Sequence, residues 1–205
     1  MNFLKFYLKK TIILIKRLFV SVYGDIYFFL KYNIRRRLIS DSLKQYLEYK
    51  KYPYYFTVGN ASLFCLDDAK RFCKGKGIDV GGSVYPFPGA RIVENNKSEN
   101  ALNISDPDES LDYVFTSHCI EHLNEKEQAK FISECSRVIK KKGILYIYMP
   151  IENASLWKPE LMKVHKKITE SKCLEDLCLK NGFKVLLISS TADLYFSKRL
   201  VFVKK

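Results

Sequence analysis

No two of the six cysteines, at positions 65, 73, 119, 135, 173 and 178, form a CxxC pair. A zinc ribbon is therefore excluded, and a chain of 205 residues can bury a core without a disulfide framework. Reduced thiols in a cytoplasmic setting are the default expectation. The chain also lacks the run of about 20 uncharged apolar residues that spans a bilayer. Lys16, Arg17 and Asp25 interrupt the N-terminal apolar segment, and the uncharged run among them extends only from Leu18 to Gly24. A charge at a helix centre costs roughly 2.5–3.5 kcal/mol, so these residues argue against a span. A secretory signal fits poorly too: Ile12–Ile15 is short, Lys16 and Arg17 follow at once, and no small-residue cleavage site is present. No proline precedes Pro53, which leaves everything upstream free to be helical. The chain holds no internal repeat and no low-complexity tract.

What is present is globular: 47% hydrophobic and 28% charged residues, more apolar than a disordered tail. The formal net charge is +13, which calls for an anionic partner. Its distribution is uneven. Residues 1–77 carry 16 Lys+Arg and 5 Asp+Glu, or +11, whereas residues 78–205 carry 19 and 17, or +2. In the first forty residues Lys5, Lys9 and Lys16 recur at helical spacing, with Lys10 and Arg17 beside them. Phe3, Leu4, Tyr7, Leu14, Ile15 and Leu18 fall largely on the other side, and Arg35, Arg36 and Arg37 add a basic cluster. Such a helix suits the surface of an anionic membrane, and equally suits packing on its own domain with a solvated basic face. Residues 51–60, with Tyr52, Pro53, Tyr54, Tyr55 and Phe56, read as a linker. The expected organisation is a basic helical extension with linker over 1–60 and an α/β domain over 61–205.

From residue 61 short apolar runs alternate with helical patterns. Ala61–Cys73 predicts a short helix; Ile78–Val80, Arg91–Glu94, Ala101–Ile104 and Asp112–Ser117 predict strands. Asn124 with Glu127 predicts a capping box, and Phe131, Ile132, Cys135, Val138 and Ile139 one apolar helix face. Lys140–Lys142 and Gly143 predict its last turn and stop. Ile144–Met149, a helix near Ser171–Asn181, Phe183–Ile188 and Leu200–Val203 follow. Strand–helix alternation implies an α/β fold with a Rossmann-like, mostly parallel sheet and flanking helices.

Ligands of such sheets bind outside the carboxyl ends of the strands. The first strand ends in Asp79-Val80-Gly81-Gly82-Ser83, where glycines allow close backbone approach. An acidic residue ending the second strand, here Glu94, can hydrogen-bond a ribose diol. The stretch Asp108–Leu123 reads as an acidic turn, an apolar strand, and then His118-Cys119-Ile120-Glu121-His122-Leu123.

This stretch resembles the fourth-strand region of class I S-adenosylmethionine-dependent methyltransferases, especially the small-molecule branch. Asp79–Ser83 looks like that family's Asp-x-Gly-x-Gly, Arg137–Leu145 like its helix, Lys-rich turn and fifth strand, and Lys180–Val185 like its later helix-to-strand turn. Together the motifs cover residues 75–188 in the family's order and do not reach residues 1–60. The resemblance implies S-adenosylmethionine as cofactor, with Asp79, Gly81 and Gly82 along its methionine part, Ser83 among the cofactor-binding residues and Glu94 on its ribose. It also implies Asp106 beside the adenine, and Ser117 and His118 beside the methyl sulfonium. His118 or His122 is the candidate general base, with His122 given a more structural place beside the sheet edge.

Two departures stand out. Ser83 replaces the last glycine of the family motif, and the first crossover, Gly81 to Ala90, is short and holds Pro86 and Pro88. A parallel crossover normally takes a dozen or more residues, so its helix is reduced or lost. These departures motivate a second reading, a non-catalytic methyltransferase-like binding protein with a degraded cofactor site. A third hides in H-x-x-E-H, a zinc peptidase signature that needs both histidines on one helix face. Here His118 and His122 straddle a strand-to-helix turn, and His165, the one other histidine, lies in no third-ligand motif. No metal is expected. Residues 78–205 lack the basic and aromatic interleaving of a nucleic-acid site, so the expected acceptor is a small molecule or glycan. The expected place is the cytoplasm, with residues 1–40 on the inner membrane surface.

Overall fold

The structure is a computed structural model that describes residues 61–82, 86–94, 98–152, 159, 165–167, 169–193 and 196–205. The chain divides into two units, residues 1–60 and 61–205, and the description concerns the second. The basic extension, the linker and Ser83 lie outside the described residues.

A 3-10 turn, Ala61–Phe64, leads into α1 (Leu66–Phe72). Then come β1 (Gly77–Val80), β2 (Arg91–Val93), β3 (Leu111–Ser117), a 3-10 turn at Ile120–His122, α2 (Glu125–Val138) and β4 (Ile139–Pro150). The chain closes with α3 (Ser171–Lys180), β5 (Phe183–Ile188) and β6 (Ser197–Lys204). The six strands form one sheet in the order β2-β1-β3-β4-β6-β5. β2, β1, β3 and β4 run parallel, and β6 pairs antiparallel with both β4 and β5. Both faces of the central strands are covered, which is why β1 is buried at every position.

One face carries Ile78, Val80, Val114, Leu145 and Ile147 and packs on Phe131, Ile132, Cys135 and Val138 of α2. The α2 pattern holds because the Asn124 side chain accepts the Glu127 N–H at 3.0 Å while the Glu127 carboxylate accepts the Asn124 N–H at 2.7 Å. The other face carries Asp79, Phe115 and Tyr146, adjacent in register. There α1 covers Tyr146, whose hydroxyl donates to Asp68 at 3.0 Å. Phe87, only 3% exposed, completes this layer, its ring 4.8 Å from that of Phe115 and 5.6 Å from that of Tyr113. Among its described residues the β1–β2 crossover contains no helix. The Phe87 ring covers Tyr113 and Phe115 on this face.

Two sequence expectations are corrected. Ala101–Ile104 is a turn, closed by an Asn100–Asn103 bridge, because Leu102 N–H donates back to the Asn100 side chain at 2.8 Å. Lys140–Lys142 belong to β4, not to a last helical turn, since α2 ends at Val138 and Ile139 is already extended. Gly143 is required for a different reason from a helix stop. A Cβ there would meet the Asp112 and Lys140 carbonyl oxygens at 2.9 Å each.

Replacing Phe87 by Ala is expected to cost about 3–5 kcal/mol in urea unfolding, against about 1 kcal/mol for Asn124→Ala. A Phe87→Ala cost no larger than the cap's would show that the ring does not seal this face.

Candidate functional site

The carboxyl ends of β1, β2 and β3 meet at one edge of the sheet. Asp79, 1% exposed, accepts the Phe87 N–H at 2.7 Å with Oδ2, while its buried Oδ1 has no hydrogen-bond partner among the described residues. Burial pushes its carboxyl up to about 7, and the Phe87 N–H pulls the other way. Gly81 has φ +84°, a left-handed conformation, and its N–H donates to Val93 of β2 at 2.9 Å. Gly82 lies so close to Asp79 that a Cβ would meet its carboxylate at 2.6 Å. Glu94 follows β2 directly and is exposed. Ser117 ends β3 on the same face as Phe115, and its buried hydroxyl has no partner among the described residues. The edge therefore carries two glycines, an exposed carboxylate and two unsatisfied buried polar atoms.

His118 follows β3 at φ +50°, an unusual backbone for a residue with a side chain. Its N–H donates to the Tyr148 carbonyl at 2.8 Å, which fixes the turn. Its Nε2 lies 2.8 Å from the Ser197 hydroxyl and its Nδ1 3.1 Å from Glu121 Oε1, so both ring nitrogens are engaged within the chain. His122 instead lines a cleft of about 440 Å3 with Gly81, Ala101, Leu102, Cys119 and Lys166. The histidines thus exchange the places that the sequence suggests: His122 faces the cleft, and His118 is held between Glu121 and Ser197. His165, which no sequence motif singles out, is brought against Glu121 and His122. Its Nε2 is 3.8 Å from Glu121 Oε1 and its ring centroid 5.0 Å from that of His122.

Asp106 is not brought to this edge. It pairs with Arg91, the first residue of β2, and lies 3.9 Å from Lys76, just before β1. Those residues mark the amino ends of the parallel strands, so Asp106 stands at the opposite edge and is corrected as a cofactor contact. The loop that does reach the cleft is Asn100-Ala101-Leu102. The asparagines at 95, 96, 100 and 103 are the signal that could have found it, since Asn clusters mark turns. Ser83 lies outside the described residues.

Residues 58–147 match the model of a family described as a methyltransferase domain. A protein of Mycobacterium tuberculosis named as a probable S-adenosylmethionine-dependent methyltransferase is 36% identical over 64 residues, 31% of this chain and 21% of that one. Over these residues the chain resembles S-adenosylmethionine-dependent methyltransferases. Norajmaline N-methyltransferase of Rauvolfia serpentina is 36% identical over 89 residues, 41% of this chain and 30% of that one. The chain thus spans less than a third of the length of these curated relatives. A solved S-adenosylmethionine-dependent methyltransferase of Thermotoga maritima shares the fold, with a TM-score of 0.55 at 17% identity over 78% of this chain and all of that one.

The cofactor this family implies is S-adenosylmethionine, and the residues present fit it. Gly81 turns the backbone and Gly82 lets it close on Asp79, Asp79 Oδ1 and Ser117 Oγ lack partners among the described residues at the same edge, and Glu94 is an exposed carboxylate just past β2. The state of Asp79 gives a test without ligand. Its folded pKa is raised, so its protonated form stabilises the fold fully below about pH 4, and that stability is lost as pH rises through about 7. Relative to the parent, Asp79→Asn should gain on the order of 3–4 kcal/mol of unfolding free energy between about pH 4 and pH 8. A pH-independent difference between the two proteins would show that this carboxyl is not desolvated.

Proposed function

We propose that the protein transfers the methyl group of S-adenosylmethionine to a small-molecule or glycan-type acceptor at an anionic membrane surface. The observation that carries the transferase reading is the edge formed by Asp79, Gly81, Gly82 and Ser117, where a tight backbone and unsatisfied polar atoms coincide. The cofactor supplies a methyl group already activated by its sulfonium. The chain's task is then mainly to hold the reactants in line, worth roughly 7–11 kcal/mol in favourable cases. Gly81 and Gly82 shape the turn that the ligand would meet, Glu94 and Asp79 anchor it, and His122 faces the cleft where an acceptor's nucleophilic atom has to be handled. His118, tied to Glu121 and Ser197, orients that turn. The norajmaline enzyme's name supports an acceptor of small-molecule size.

The membrane part of the proposal rests on charge: +11 over residues 1–77 against +2 over the remainder. Among the described residues no helix is long and apolar enough to cross a membrane. Attachment would be peripheral and on the cytoplasmic leaflet, each Lys or Arg near the surface adding about 1 kcal/mol.

S-adenosylmethionine is expected to raise the melting temperature, as a ligand selective for the native state does. Glu94 is exposed, so Glu94→Ala should leave the free protein's melting temperature unchanged and weaken cofactor binding roughly 10- to 100-fold, the loss of one charge-assisted hydrogen bond. A folded protein that ignores millimolar cofactor would support the non-catalytic binding reading instead.

The full chain should also sediment with anionic vesicles at low salt and be released at high salt. Reversing Lys9, Lys16 and Arg17 to Glu should release it at low salt. Indifference to anionic vesicles would leave residues 1–40 a packing helix.

A further inference from the structure

We propose that Glu121, His122 and His165 bind one divalent transition-metal ion at the wall of the cleft. Its role toward an acceptor rests on the methyltransferase reading, but its binding does not. One ligand atom from each residue lies within 4.8 Å of the others. Donor atoms around a tetrahedral ion at about 2.1 Å stand roughly 3.4 Å apart, so side-chain shifts of under about 1 Å would close the set.

The backbone carrying these ligands is fixed by hydrogen bonds that need no ion. Lys166 and Lys167 donate their N–H groups to the Glu121 carbonyl at 2.8 and 3.3 Å, which sets His165 alongside Glu121. The Gln128 side-chain amide donates to the carbonyls of Ile120 and Leu123 at 3.0 and 2.9 Å and so clamps the turn that carries Glu121 and His122. The same amide group contacts the Thr169 hydroxyl at 2.7 Å, tying the segment after His165 to that turn. Preorganisation of this kind is what a metal site requires of its surroundings.

The carboxylate supplies an independent sign. Glu121 is 1% exposed, and its Oε2 has no hydrogen-bond partner among the described residues. A buried carboxylate with an unsatisfied oxygen is costly unless a cation is near. His165 is 5% exposed, so two of the three ligands are withdrawn from water.

The donor set specifies the ion. Two imidazoles and one carboxylate favour zinc, cobalt, iron(II) or manganese over the oxygen-seeking calcium and magnesium. Three protein ligands leave a further coordination position open. Because His122 lines the cleft, that position faces an acceptor, and a hydroxyl held there would have its pKa lowered. This is not the zinc-peptidase arrangement. There both histidines of H-x-x-E-H are ligands, whereas here His118 is turned to Ser197 and Glu121, and the second histidine ligand comes from 43 residues beyond His122.

The test uses the full chain, stripped with chelator and reloaded with cobalt(II). One cobalt per chain should survive gel filtration and show the visible absorption of a low-coordinate nitrogen and oxygen site, without a thiolate charge-transfer band. His165→Gln should lose the absorption and weaken binding about 100-fold or more, while Cys173→Ser, at an exposed thiol, should keep both. If His165→Gln does not fold, the parent protein decides by itself: folded chain without stoichiometric cobalt or its absorption overturns the site. S-adenosylmethionine binding is measured on the same samples. Cobalt bound to a chain that takes no cofactor would sustain the site and sink the methyltransferase reading, and cofactor binding without stoichiometric cobalt would do the reverse.

Discussion

The buried carboxylate of Asp79 is the constraint on which the rest of this site depends. It sits in the middle of the second sheet face, accepts the N–H of Phe87 and presses against Gly82. That single hydrogen bond ties the far side of a short crossover back to β1. It also seats the Phe87 ring over Tyr113 and Phe115, so that an aromatic side chain closes the face. The arrangement desolvates Asp79 and leaves one oxygen without a partner among the described residues. Such an atom is expensive in an empty site and useful in an occupied one. The crossover, the glycine pair and the unsatisfied oxygen are therefore one structural solution rather than separate departures from a family pattern.

A second division of labour follows the end of β3. His118, Glu121 and His122 are neighbours in sequence but point to different tasks. The backbone of His118 is bound to β4 and its ring to β6 through Ser197, so it joins the turn to the antiparallel half of the sheet. Glu121 faces inward between two histidines. His122 faces the cleft. Residues with different tasks are thus drawn from five consecutive positions, where β3 ends at a turn with positive φ and a short 3-10 turn follows.

Much of the fold was legible because its signals are local. The Asn124–Glu127 box and the apolar stripe from Phe131 to Val138 need nothing beyond one helix, and they stand as read. The glycines at 81 and 82 were legible for the same reason. What failed was non-local. Gly143 looks like a helix stop until the carbonyl of Asp112, on another strand, is seen 2.9 Å from its missing Cβ. Ala101–Ile104 is a local exception, with strand-like residues whose backbone the Asn100 side chain captures first. Asp106 looked like a ligand contact by chain position, yet Arg91 and Lys76 hold it at the opposite edge. His165 carried no signal at all, since only the return of the chain past Glu121 gives it a neighbour.

The proposed seat of S-adenosylmethionine is the carboxyl edge of β1, β2 and β3. Photocrosslinking the full chain with radiolabelled cofactor, followed by peptide mapping, tests it most directly. Label is expected in the peptides spanning residues 77–104 and 117–123, competed away by S-adenosylhomocysteine. Label confined to other peptides, or none above background in folded protein, would contradict it.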